Sequence, residues 1–112
     1  MALMQLTVIP LGTGSSGLSD VVAEIQSELA RQGFFYVLND MGTTIEGESE
    51  ALLALAGRLA EIPFKRGAMR VVTQITIDDR RDKQVRLGDK TASVLARQRN
   101  IDGCGRIATD EV

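Results

Sequence analysis

Phe34-Phe35-Tyr36-Val37-Leu38-Asn39-Asp40-Met41-Gly42-Thr43-Thr44-Ile45-Glu46-Gly47-Glu48 is the stretch that decides the fold. Phe34 to Asn39 is aromatic and β-branched enough for a strand, Asp40-Met41-Gly42 reads as a turn, and Thr43 to Glu48 reads as a second strand. A link this short joins only antiparallel neighbours, because a parallel return needs a crossover of a dozen or more residues. A hairpin therefore stands at the centre of the chain, and the segments on either side must pack around it.

Before the hairpin, Met4, Leu6 and Val8 alternate with Gln5 and Thr7 between Ala2 and Leu11, the period of a two-faced strand. Leu18, Val21, Val22, Ile25 and Leu29 then recur at helical spacing, with Ser19 as the expected N-cap and Gly33 as the expected left-handed stop. After the hairpin, Ser49 is expected to cap a second helix carrying Leu52, Leu55, Ala56, Leu59 and Ile62 on one stripe, ended by Pro63 or the Gly67 turn. Met69 to Ile77 alternates again and reads as a fourth strand, and Leu87 to Gln98 reads as a short last helix. Strand, helix, strand, strand, helix, strand is the split βαβ order of ferredoxin-like α+β domains. The expected sheet has four antiparallel strands in the order four, one, three, two, with two helices on one face plus the short C-terminal helix. Gln5, Thr7, Thr44, Glu46, Gln74 and Thr76 make its other face too polar for a core. A single domain is expected over residues 1–100, and the tail 101–112, which has no periodicity, is expected to stay outside it as a disordered segment.

Composition narrows function. The 112 residues are 44% hydrophobic and 25% charged with a net charge of −2, and no apolar run is long enough to span a bilayer. The apolar start alternates and lacks a basic leader, so no signal peptide is expected and the chain is placed in the cytoplasm, without a membrane partner. The basic residues Arg80, Arg81, Lys83 and Arg86 are interleaved with aspartates, which makes nucleic acid a poor partner. One cysteine, Cys104, excludes an internal disulfide. The complete lack of histidine removes the usual zinc sets and imidazole acid–base chemistry and leaves carboxylates, lysine or tyrosine as the catalysts an enzyme could use; no metal, no cofactor and no catalytic residue is assigned.

Two motifs carry competing readings. Gly12-Thr13-Gly14-Ser15-Ser16-Gly17 matches the spacing of a dinucleotide loop between strand and helix. The hairpin that follows argues against the parallel unit such a loop serves, which leaves a plain connection or an anion- or ligand-contacting loop. Asp78-Asp79-Arg80-Arg81-Asp82-Lys83 is either a solvated charged surface or a subunit contact, since paired carboxylates beside paired guanidiniums can cross-link symmetric copies. Asp78, Asp79, Arg80 and Arg81 are the expected interface residues.

Three segments in order, Ile9-Pro10-Leu11-Gly12-Thr13-Gly14, Met41-Gly42-Thr43-Thr44-Ile45-Glu46-Gly47-Glu48, and Arg70-Val71-Val72-Thr73 through Asp78-Asp79-Arg80-Arg81-Asp82-Lys83, resemble those of the small thiamine-binding protein family. The resemblance spans about residues 2–98 and departs at Asp40, where members often carry proline. It implies a ferredoxin-like subunit, dimers pairing into a homotetramer, and binding of thiamine or its hydroxymethylpyrimidine portion without catalysis. Thiamine is a cation with a hydrogen-bonding aminopyrimidine, so its site wants a carboxylate, polar acceptors and a soft apolar wall. Glu46, Asn39, Thr43, Thr44 and Met41 offer that set around one hairpin, and Thr13 and Ser16 could close it from the neighbouring loop. Glu46 is the expected charge of the site. The alternatives are an enzyme or nucleotide-binding protein built on the Gly12–Gly17 loop, and a purely structural or regulatory oligomer.

Overall fold

A computed structural model describes residues 1–12 and 17–101. The elements are β1 (Ala2–Leu11), α1 (Leu18–Gln32), β2 (Phe35–Asn39), β3 (Gly42–Gly47), α2 (Ser49–Lys65), β4 (Arg70–Asp79) and α3 (Asp89–Asn100). Every strand pairing is antiparallel and the sheet order is β2-β3-β1-β4. This is the expected ferredoxin-like arrangement, and it excludes the parallel unit that a dinucleotide loop would serve.

The register sorts side chains onto two faces, because paired residues share a face and neighbours alternate. Met4 faces Ile45 and Ile77 across the sheet, and Leu6 faces Thr43 and Ile75. This side meets the helices: Met4, Leu29, Ile45, Leu52, Leu55 and Leu59 have no exposed surface. The opposite side carries Gln5 between Thr44 and Thr76, with Thr7 beside Gln74. Here the alternation read from sequence holds across three strands.

Element boundaries move where backbone bonds take over from side-chain caps. The Asp20 amide donates to the Gly17 carbonyl at 3.1 Å, so Gly17 is the N-cap of α1 and the expected cap, Ser19, lies inside the first turn. Likewise the Leu52 amide donates to Glu48 O at 2.9 Å, which makes Glu48 the N-cap and Ser49 the first residue of α2. Gly33 ends α1 as expected, at φ 80°, with its amide on the carbonyl of Ala30. Strand β4 extends beyond Ile77 to Asp79 because it pairs with all of β1, from Leu11 opposite Arg70 to Ala2 opposite Asp79. The strand excludes Met69, which is exposed. Helix α3 starts at Asp89 rather than Leu87, since Asp89 Oδ2 accepts from the Arg86 amide at 2.7 Å just ahead of it.

Between β4 and α3 the chain folds back over the otherwise open face of the sheet. Val85 is buried there, and Arg86 and Leu87 lie against Phe35 and Glu46. Helix α3 itself buries no residue. Among the described residues no helix is long and apolar enough to cross a membrane.

Candidate functional site

The helix-side face of β1 presents Leu6 and Val8, and α1 lies across it with Leu18, Val22 and Ile25 turned the same way. Leu38 of β2 completes the apolar wall. Helix and sheet do not close completely at the hairpin end, leaving a cavity of about 330 Å³. That falls in the range of about 300–1,000 Å³ usual for small-molecule sites.

Polar groups enter the cavity at a few points. Asn39 comes from the end of β2 and Asp40 from the turn, and Met41 stands 81% exposed at its tip. Thr43, buried on β3, accepts a hydrogen bond at 3.0 Å from Gln26 Nε2 on α1. Gln26 Oε1 is buried and has no partner among the described residues. A buried amide carbonyl left this way is unusual, since most buried acceptors in folded proteins are satisfied.

The tip is held to the sheet by backbone proximity. Thr7 Oγ1 donates to the Met41 carbonyl at 3.3 Å. A Cβ at residue 42 would sit 3.0 Å from Thr7 Oγ1 and 3.1 Å from the Leu6 carbonyl, so only glycine lets the turn lie this close to β1.

The residues singled out from sequence separate into three groups. Asn39, Met41 and Thr43 line the cavity together. Thr44 and Glu46 do not, because they occupy the alternate positions of β3 and face the other side of the sheet. Thr13 and Ser16 lie outside the described residues, as does Cys104.

Glu46 is 5% exposed and fully engaged where it stands. Arg86 grips it with two bonds, Nε to Oε1 at 3.0 Å and Nη2 to Oε2 at 3.1 Å, and the Leu87 amide adds a third to Oε1 at 2.8 Å. The Arg86 guanidinium, with the Leu87 amide second, holds the Glu46 carboxyl below the usual carboxylate range. Its carboxylate pins the returning chain to the sheet.

Sequence reasoning did not single out Gln26, Val22, Leu38 or Asp40 as site residues. Gln26 left a signal: it falls between Val22 and Leu29 on the apolar stripe of α1, a polar residue on the face that meets the sheet.

The charged run at the end of β4 and just beyond it pairs within the chain. Arg80 Nε meets Asp82 at 2.6 Å, Arg81 Nη2 meets Asp79 at 2.8 Å, and Lys90 bonds Asp78. Arg81, and after it Ser49, holds the Asp79 carboxyl below its ordinary range. Among the described residues no cluster of histidine, cysteine or carboxylates could hold a metal ion.

Comparison with known proteins agrees with this architecture. The B. subtilis protein YqgV, of family UPF0045, is 43% identical over 98 residues, covering 84% of this chain and 94% of its own. A UPF0045 protein of Methanothermobacter thermautotrophicus is 40% identical over 95 residues, covering 84% and 96%. Among solved structures, a domain of unknown function from Bacillus cereus superposes with a TM-score of 0.71 at 28% identity, over 80% of this chain and 85% of that one. A Thermotoga maritima protein named as a candidate in thiamine biosynthesis or salvage has the same fold, with a TM-score of 0.68 at 22% identity over 83% and 97%. The sequence profile described as "Thiamine-binding protein" matches residues 4–95. With nearly the whole folded part of the chain inside that match, the protein belongs to the thiamine-binding protein family.

Proposed function

We propose that the protein is a non-catalytic binding protein that holds thiamine, or its hydroxymethylpyrimidine portion, in the cavity between α1 and the hairpin. The observation that carries this reading is the cavity's chemistry: an apolar wall for a flat ring, a neutral amide–hydroxyl pair at Gln26 and Thr43, and the Asp40 carboxylate for a cation. Membership of the thiamine-binding family supports it, as does the name given to the Thermotoga maritima protein of the same fold. A chain without histidine offers no imidazole for catalysis.

Isothermal calorimetry with thiamine, the pyrimidine alcohol, ATP and NAD tests the assignment. Saturable heat with thiamine or the pyrimidine alcohol is the expected result. A response confined to ATP or NAD would instead support a nucleotide-binding protein, and silence with all four a structural one.

The binding unit in this reading is a homo-oligomer, a tetramer built from dimers. Phe35, 66% exposed on the open sheet face next to its cross-strand partner Glu46, supports self-association there. The exposed charges from Asp78 to Arg81 lie at the end of the edge strand β4, where a second copy could reach them. Light scattering at micromolar concentration is expected to give a mass of about four chains, and a monomeric mass would refute the assembly.

A further inference from the structure

We infer that β4 is a dimerisation edge, along which two copies of the chain join antiparallel about a two-fold axis at Gln74, with Arg70 of each opposite Asp78 of the partner subunit. The inference rests on the homo-oligomer reading above and adds which surface pairs and in what register.

The sheet ends at β4, so the outer edge of this strand has no neighbouring strand among the described residues. The edge runs ten residues, Arg70–Asp79, without the proline or lysine that natural sheets place on open edges to block pairing. Val71, Val72, Thr73, Ile75, Thr76 and Ile77 are all β-branched, which suits a strand paired on both sides. The opposite edge, β2, has only five residues. Ile75 adds a second observation. It shares the helix-side face with Leu6, yet it is 42% exposed, an apolar side chain that the single subunit leaves uncovered.

A two-fold axis relating antiparallel neighbours stands perpendicular to the sheet and keeps every side chain on its own face, so it passes beside one residue that meets its own copy. The charges choose that residue. With the axis at Gln74, Arg70 meets Asp78 at both ends, Val71 meets Ile77 and Thr73 meets Ile75 on the helix side, and the two Gln74 amides, each a donor and an acceptor, meet on the open face. With the axis at Ile75, Arg70 would meet Arg80 and Asp78 would meet Val72. With the axis at Thr73, Arg70 would meet Thr76 and Asp78 would meet Ala68, which precedes the strand. A parallel arrangement sets the two Asp78-Asp79 ends side by side. Only the Gln74 register satisfies both charges. Arg70 is exposed and makes no ion pair among the described residues, and Lys90 occupies only Oδ2 of Asp78.

The test combines cross-linking with a charge swap. Single-cysteine proteins are made in a Cys104→Ser background and oxidised at micromolar concentration. Gln74→Cys is expected to form a covalent dimer, because directly opposite residues of antiparallel strands stand about 4.5–5.5 Å apart at Cα, within disulfide reach. Thr73→Cys and Ile75→Cys are expected to cross-link at least about tenfold more slowly, since each is set two residues from its own copy and the Cα separation exceeds about 7 Å. In sedimentation, Arg70→Asp is expected to raise the dissociation constant of the pair at least about tenfold, because two like-charge contacts replace two unlike ones in each symmetric dimer. Arg70→Asp combined with Asp78→Arg is expected to return it to within about threefold of wild type. The charge series carries the test if a cysteine variant does not fold. A monomeric wild type overturns both this inference and the oligomer reading. An oligomer in which Gln74→Cys cross-links no faster than its two neighbours, in which Arg70→Asp associates as wild type does, or in which the swap fails to restore association overturns this inference alone.

Discussion

Glu46→Gln is expected to lower stability by about 2 kcal/mol at neutral pH and to leave thiamine affinity within about twofold of wild type. The carboxylate is nearly inaccessible and accepts three bonds, two from Arg86 and one from the Leu87 amide. Glutamine keeps the shape but turns one acceptor into a donor facing a guanidinium. Half of the Arg86 side chain is exposed, so the freed cation recovers water, which holds the loss below that of a fully buried pair. The effect on binding is small because Glu46 and the cavity lie on opposite faces of the sheet. Thr43 is three residues away, about 10 Å along the strand.

The same pair gives a pH signature. Glu46 has its folded pKa depressed by Arg86 and then by the Leu87 amide, so its contribution is present above the unfolded glutamate pKa and is lost as pH falls through the folded one. Urea unfolding of wild type and Glu46→Gln should therefore differ at pH 7 and converge as pH drops below about 4. A gap of equal size at pH 7 and pH 3 would mean that the ion pair is not what glutamine removes. A normal melt combined with lost thiamine binding would return Glu46 to the ligand site.

Glu46 also shows where sequence reading reaches its limit. The hairpin Phe34 to Glu48, the two helical stripes and the polar alternation of β1 and β4 were all legible, because each is a local pattern whose period names its element. The site is not local. Asn39, Met41 and Thr43 line one cavity because the hairpin itself brings them together. Thr44 and Glu46 share the turn's neighbourhood in sequence and leave it in space, since each step along a strand changes face. That Glu46 is occupied depends on Arg86, forty residues later, reached only when the segment after β4 doubles back over the sheet. A charged run reads as solvated or interfacial from composition alone, and nothing in Arg80 to Arg86 announces which residue will turn inward. Gln26 was legible in principle, as the polar interruption of an apolar stripe, but a stripe read for core residues passes over it.

Val22→Phe is expected to weaken thiamine binding by at least about tenfold while changing stability by less than about 0.5 kcal/mol. Val22 lies on α1 at the cavity wall and is half-buried, so a phenyl ring there has space to enter the cavity without displacing the fully buried Val21 or Leu29. Valine and phenylalanine have similar helix propensities, so α1 is not itself perturbed. The ring takes up room that the ligand needs, and its loss of affinity is steric rather than electrostatic. A second, smaller hollow of about 200 Å³ lies on the other face of the sheet, between Phe35, Glu46, Arg86 and Leu87, and it is the natural rival site. A ligand seated there would be indifferent to Val22→Phe and sensitive to Glu46→Gln, the reverse of the expected pattern. Calorimetry on the two variants with the same thiamine stock therefore assigns the site from the crossed result: loss at Val22 with retention at Glu46 places it against α1, and the opposite pair of outcomes moves it to the hollow under the returning chain.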